Sequence, residues 1–148
     1  MTLTVEYKIT RLLDAPRELV WAAWTEPELF SRWFSARRMA TPIGRITLDA
    51  WPGGVWRATL TGDEGFEVTF DGTYREVRKP VRLVFTTGDP DSPGEGPASV
   101  VTIDFADVDG KTEMRFHQHG VNVDPAGWME FFDRLAEHFT TASARPPA

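Results

Sequence analysis

Three stretches between residues 66 and 118 alternate apolar with polar side chains, and this alternation constrains the fold more than any other feature of the chain. Phe66, Val68, Phe70, Gly72 and Tyr74 alternate with Glu67, Thr69, Asp71, Thr73 and Arg75. Val101, Ile103 and Phe105 alternate with Thr102 and Asp104, and Met114 and Phe116 with Glu113, Arg115 and His117. Successive side chains of a strand point to opposite faces, so each stretch predicts a half-buried strand. Turn residues separate the strands. Pro52-Gly53-Gly54 precedes a strand over 55–61, Gly62-Asp63-Glu64-Gly65 one over 66–77, and Arg78-Lys79-Pro80 one over 81–87. A Pro/Gly/acidic loop over 88–97 follows. Asp109-Gly110, a strong hairpin signal, then joins strands over 98–108 and 111–118. Consecutive hairpins build an antiparallel sheet with one wet and one apolar face. An apolar face of that size cannot be left to water, so another element must cover it.

The last segment has the pattern of a cover. Trp128, Phe131, Phe132, Leu135, Ala136 and Phe139 fall at i, i+3, i+4, i+7, i+8 and i+11, with Glu130, Asp133, Arg134 and Glu137 on the other side. This predicts an amphipathic helix, opened by Asp124-Pro125 as cap and first-turn proline. Upstream, Val5, Tyr7 and Ile9 alternate with Glu6, Lys8 and Thr10, a first strand whose free edge can pair with a second copy. Asp14-Ala15-Pro16 then starts a helix carrying Leu19, Val20, Ala23 and Trp24. Thr25-Glu26-Pro27-Glu28 has the form of a capping box that restarts it as a second short helix with Leu29, Phe30, Trp33 and Phe34. The predicted class is α+β: a curved antiparallel sheet wrapped around a long C-terminal helix, with two short helices after the first strand. One domain spans 1–142, and 143–148 form a frayed tail.

Composition excludes several functions. The chain has no cysteine, which removes disulfides, thiolate nucleophiles and cysteine metal sites. Sixteen basic against 22 acidic residues leave a net charge of −6, which argues against nucleic acid as a partner. The compact basic cluster of Arg32, Arg37 and Arg38 suits a solvated helix end. Residues 1–6 lack the pattern of a signal peptide, and no stretch approaches the ~20 apolar residues of a membrane span. The expectation is a cytoplasmic protein that does not insert into membranes. Six tryptophans in 148 residues call for explanation. Trp24, Trp33, Trp56 and Trp128 are expected inward or at an entrance, Trp21 and Trp51 structural or exposed.

Several of these stretches together carry a family likeness. Residues 14–29, from Asp14-Ala15-Pro16 to Glu28-Leu29, with Arg32-Trp33-Phe34 after them, resemble the START-like (SRPBCC) superfamily, in the branch named for activators of the heat-shock chaperone ATPase. Pro52-Gly53-Gly54-Val55-Trp56-Arg57, Gly72-Thr73-Tyr74-Arg75-Glu76-Val77, Arg82-Leu83-Val84-Phe85-Thr86, Phe116-His117-Gln118 with Gly120, Gly127-Trp128 and residues 132–137 extend the match in order. The resemblance implies a helix-grip fold with a deep apolar cavity between sheet and long helix. Superfamily members bind lipids, sterols, plant hormones or polyketides there, and some are cyclases or dehydratases. The eukaryotic activators carry a further N-terminal chaperone-binding domain, so the branch name does not by itself transfer chaperone activation. Two segments depart from the pattern. Ser35-Ala36 stands where relatives often have glycine-proline, and the connector from Gly120 to Gly127 is short; both would lie near the cavity mouth.

The predicted cavity lining is Trp24, Trp33, Phe34, Trp56, Phe70, Tyr74, Phe85, Ile103, Met114, Phe116, Gln118, Trp128, Phe132 and Leu135. The same rings can instead fill the interior. Gln118 and Tyr74 either orient a polar group of a ligand or satisfy internal hydrogen bonds. His117 and His119 share one side of a strand, opposite Met114 and Phe116. They can begin an acid–base pair or a metal site, or simply be rim histidines; His138 lies beside Phe139. Arg57 should face away from Trp56. No phosphate-binding or nucleophile-elbow motif occurs. No catalytic residue, metal or cofactor is assigned. The leading reading is a non-catalytic binding module for a small hydrophobic or amphipathic molecule, gated by 35–45 and 88–97. A histidine-dependent cyclase or dehydratase and a chaperone co-factor acting through its surface are the alternatives.

Overall fold

Residues 5–13 alternate as a half-buried strand should, and in the computed structural model they form β1 (Val5–Leu13), with Ile9 and Leu13 buried. The structure describes residues 4–35, 38–88, 96–121 and 125–144, with side chains of the last span as far as residue 140. The Asp124 cap, Arg37, the tail beyond 144 and parts of both gate segments (36–37 and 89–95) lie outside the described residues.

Two short helices follow, α1 (Arg17–Thr25) and α2 (Pro27–Trp33). Within the Asp14-Ala15-Pro16 start, Pro16 is the N-cap of α1, and its carbonyl accepts from the amides of Leu19 and Val20. The predicted capping box at 25–28 does not form. Thr25 lies in the last turn of α1 and its hydroxyl donates to the Trp21 carbonyl at 2.9 Å, so it cannot cap α2. Glu26 serves both helices through its backbone: its N–H closes α1 on the Ala22 carbonyl, and its carbonyl accepts from Phe30. Proline at the first position of α2 has no N–H needing a partner.

The sheet comprises β2 (Ile46–Leu48), β3 (Val55–Thr61), β4 (Glu67–Arg78), β5 (Arg82–Gly88), β6 (Pro97–Val108) and β7 (Lys111–Gly120), together with β1. Its order is β1-β7-β6-β5-β4-β3-β2, with all pairings antiparallel. Asp109 and Gly110 both have positive φ, the backbone a tight β6–β7 hairpin requires. Val101, Ile103, Phe105, Met114 and Phe116 are buried on the concave face, as their alternation predicts. Phe66 corrects that pattern. It precedes β4 at the turn end of the β3–β4 hairpin, the margin of the sheet, and is 58% exposed. Burial along β4 is complete only at Tyr74, where a bulge before Glu76 shifts the register.

The cover is α3 (Pro125–Ala144), which packs on α2 and β1. Phe131, Phe132, Leu135 and Phe139 are buried, whereas Glu130, Asp133 and Glu137 are exposed. An ion pair from Arg11 to Asp133 at 2.7 Å ties the helix to the edge strand. Together these elements form the α+β helix-grip architecture: a seven-stranded antiparallel sheet closed on one face by three helices.

Gly72 shows how tightly neighbouring strands of the sheet are fitted to one another. It lies opposite Trp56 in the β3–β4 register, and the Trp56 indole passes over it to donate to the Thr86 carbonyl at 2.8 Å. A Cβ on Gly72 would stand 1.8 Å from that carbonyl oxygen and 2.6 Å from Trp56 Nε1. Gly44, by contrast, has nothing within 4 Å of its Cβ position. Gly72→Ala should therefore destabilise by about 3 kcal/mol, roughly 10 °C in melting temperature for a domain of this size. Gly44→Ala should stay within about 0.5 kcal/mol. Paired thermal melts check this; equal effects of the two would contradict it.

Candidate functional site

Helical spacing and strand alternation converge on one aromatic cluster. α1 contributes Trp24, α2 contributes Phe30 and Trp33 with Phe34 just after it, β3 contributes Trp56, β5 Phe85, and α3 Trp128 and Phe132. Trp24 meets Trp33 edge-on with ring centroids 4.7 Å apart, and Phe30 stacks on Phe34 at 4.4 Å. Phe116 reaches Trp128 at 4.9 Å and Phe132 at 5.0 Å. Such pairs each add about 0.5–1.5 kcal/mol beyond the burial of their area. Trp24, Trp33 and Trp56 are almost wholly buried, whereas Trp128 is half-buried at the edge of the cluster. Trp21 is buried separately against Phe105, and Trp51 is 59% exposed.

A small space remains among these rings. It is lined by Trp24, Phe30, Phe34, Leu48, Trp56, Tyr74, Leu83, Phe85 and Trp128, and its volume of about 10 Å3 is no more than a single water needs. The chamber is thus closed on itself by its own side chains in this conformation. It also lies toward α1, α2 and β2–β5 rather than along the length of α3. Six of the predicted residues line it: Trp24, Phe34, Trp56, Tyr74, Phe85 and Trp128. Trp33, Phe70, Ile103, Met114, Phe116, Gln118, Phe132 and Leu135 do not; they pack around it or elsewhere along the concave face. Phe30, Leu48 and Leu83 were missing from the sequence set. Leu83 had a signal, two residues before Phe85 on the same strand face. Phe30 belongs to the apolar stripe of α2. Leu48 had none, since its strand is three residues long.

The indole N–H groups are treated unequally. Trp33 Nε1 donates to the Ala23 carbonyl and Trp56 Nε1 to the Thr86 carbonyl, each at 2.8 Å. Trp24 Nε1 is buried with no hydrogen-bond partner among the described residues. A buried donor left unpaired costs about 1–3 kcal/mol. Tyr74 brings a hydroxyl to the same lining; burial, with a smaller effect from the charge of Asp49, pushes its pKa well above the usual phenol range. It is therefore a neutral donor at any working pH.

Gln118 is buried but belongs to a different network. Its Nε2 donates to Ser99 Oγ at 2.8 Å, and its Oε1 accepts from the Tyr7 hydroxyl. Ser99 in turn shares a hydrogen bond with Thr87. This chain crosses β1, β7, β6 and β5 and gives Gln118 the internal partners a buried amide requires. Neither Tyr74 nor the aromatic space is among them.

The histidines lie away from the chamber. His117 projects to the face opposite Phe116 and pairs with Glu6 Oε1 at 2.7 Å, while His119 is exposed. The hydrogen bond and charge of His117 hold the Glu6 carboxyl below its usual range, with smaller help from His119 and Lys8. No acid–base pair from this strand reaches the aromatic space. Among the described residues no three His, Cys, Asp or Glu side chains could hold a metal. Arg57 is exposed, opposite in facing to the buried Trp56. A wider hollow of about 320 Å3 on the outer face, bordered by Asp71, Thr73, Arg75 and Thr86, is unconnected to the ring cluster in its lining.

His138 on α3 is half-buried, and burial, then the nearby charge of Arg32, lowers its pKa. A histidine that is harder to protonate when folded binds its proton more readily in the unfolded chain. Stability is then lost as pH falls through the ordinary histidine range of about 6.5 toward the lowered folded value. His138→Gln should make the melting temperature fall less between pH 7.5 and 5 than in the parent. Parallel slopes for the two proteins would contradict this.

Residues 14–140 match the family described as Activator of Hsp90 ATPase homolog 1-like protein. No curated protein matches the sequence. The fold is similar to the solution structure of an AHSA1-like protein from Aeromonas hydrophila, with a TM-score of 0.80 at 22% identity over 97% of this chain and 98% of that one. It is similar also to a Rhodobacter sphaeroides protein, with a TM-score of 0.79 at 23% identity over 92% and 93% of the two chains. An AHSA1 protein from Silicibacter pomeroyi gives 0.76 at 18% identity over 93% and 99%. At these identities the structures establish the fold alone. The family match covers most of the sequence, and the chain belongs to the Activator of Hsp90 ATPase homolog 1-like family.

Proposed function

We propose that this chain binds a small hydrophobic or amphipathic molecule in the aromatic chamber, which opens to admit it. The observation that carries this reading is the convergence of rings from α1, α2, β3, β5 and α3 on one residual space, with half-buried Trp128 at its edge. Four of the six tryptophans, Trp24, Trp33, Trp56 and Trp128, meet in this cluster. A cluster whose rings can part offers a ligand a ready apolar wall. Burial of apolar ligand surface contributes roughly 25 cal/mol per Å2, set against the ring contacts broken on opening. Trp24, Phe34, Trp56, Tyr74, Phe85 and Trp128 form the first contacts, and the remaining predicted residues become lining only as the chamber widens toward α3. The proposed setting is the cytoplasm, which a cysteine-free composition suits.

The histidine-dependent enzyme reading loses its support, because His117 and His119 sit on the other face of β7. A chaperone-directed role has the family description in its favour. It would act through the outer surface, and a pull-down with the purified chaperone that recovers nothing would remove it.

Native mass spectrometry of freshly purified protein, with thermal shifts across a lipid and aromatic library, tests the binding reading. The expected result is a non-covalent adduct or a rise of about 5–10 °C, the scale for a ligand at ~100 times its dissociation constant. No adduct and no shift with any compound would overturn it.

A further inference from the structure

The unpaired Trp24 indole carries the ligand-binding reading one step further. Trp24 is 3% exposed, its Nε1 has no hydrogen-bond partner among the described residues, and its side chain borders the aromatic space. Buried polar groups nearly always find a partner, so an exception calls for a reason. The fold is able to pair buried indoles, as it does for Trp33 and Trp56 with nearby carbonyls. The Trp24 side chain, whose donor is left over, borders the aromatic space.

The rest of the lining restricts what could fill it. Among the described residues that line the space there is no Lys, Arg, His, Asp or Glu. A buried cation or anion would thus have no countercharge, and an isolated buried charge is strongly disfavoured. The charge of Asp49 bears on Tyr74 and adds to the cost of an anion. What the lining residues do bring is rings, one indole N–H on Trp24 and one hydroxyl on Tyr74. Each of those two polar groups can donate a hydrogen bond.

We infer that the chamber selects an uncharged, flat apolar molecule bearing a hydrogen-bond acceptor such as a ketone or ester carbonyl, and that the Trp24 indole N–H receives this acceptor, with the Tyr74 hydroxyl at the same wall. The inference rests on the ligand-binding reading above and adds the polarity and charge of the ligand to it.

Three naphthalenes of nearly equal shape separate the possibilities. 2-Acetylnaphthalene carries the acceptor, 2-isopropenylnaphthalene replaces the carbonyl oxygen by a methylene, and 2-naphthoate carries an anion at pH 7.5. Their dissociation constants are measured by equilibrium dialysis on the full chain and on Trp24→Phe, which keeps a ring and removes the N–H. The parent should bind the ketone about tenfold tighter than the hydrocarbon. Naphthoate should bind weakest. In Trp24→Phe the ketone and the hydrocarbon should bind about equally. A measurement on the parent protein does not depend on the variant folding. The 15N indole signal of Trp24, assigned by its through-space contacts to the Trp33 and Phe85 rings, should move downfield with the ketone and not with the hydrocarbon.

Hydrocarbon and ketone binding equally to the parent, preferred binding of naphthoate, or a ketone preference that survives in Trp24→Phe would overturn the inference while leaving ligand binding intact. In the last case another donor, such as the Tyr74 hydroxyl, receives the acceptor in place of Trp24. Failure of all three probes to bind would overturn the inference, whereas the ligand-binding reading falls only if the wider library also gives no adduct and no shift.

Discussion

The apolar concave face of the sheet cannot stand in water, and the way it is covered determines the rest of the structure. α3 lays Phe132 and Leu135 across it from one side, while α1 and α2 close the other end with Trp24, Phe30 and Trp33. One helix cannot follow a twisted seven-stranded sheet over its whole width. The two covers meet over the sheet, and their junction is filled with large rings, Trp24, Trp33 and Phe34 against Phe131 and Phe132. Rings suit such a junction because edge-to-face packing tolerates irregular angles. The residual space lies at this junction, which explains why it borders β2–β5 and the short helices and touches α3 only through Trp128.

Much of this was legible in the sequence because it depends on periodicity. The alternation in β6 and β7 and the 3.6-residue spacing of α3 specify which side of each element is apolar, and the buried residues are those the spacing selects. Periodicity specifies facing, however, and not position along an element. Phe66 has the right parity for the concave face, yet it lies at a hairpin end past the cover. Ile103 and Met114 face inward but meet close-packed neighbours instead of the residual space. The capping box failed for a related reason. Residues 25–28 have the right types, but Thr25 was already inside the preceding helix, and one residue, Glu26, supplied both helix ends through its backbone.

Gln118 and Tyr74 belong to two separate parts of the interior, which the sequence does not distinguish. Gln118 and Tyr74 were equivalent candidates, each a polar group on the apolar face of a strand. In the fold Gln118 closes a side-chain network from Tyr7 to Thr87, whereas Tyr74 faces the ring cluster. The difference arises from cross-strand neighbours. Tyr7 lies directly opposite Gln118 on β1, and Ser99 is within reach on β6. No single-strand pattern encodes such partners. Trp24 was legible as an inward tryptophan, but the lack of a partner for its N–H emerges only once the surrounding carbonyls are in place.

The central claim is that the closed ring cluster opens to take a ligand between Trp24 and the β3–β5 wall. Intermolecular nuclear Overhauser contacts test it most directly, with 13C,15N-labelled protein and unlabelled 2-acetylnaphthalene. The account predicts contacts from the naphthalene protons to the ring protons of Phe34, Trp56 and Phe85 in one bound pose. Saturable binding with contacts only to the outer face, near Thr73 and Arg75, would contradict it.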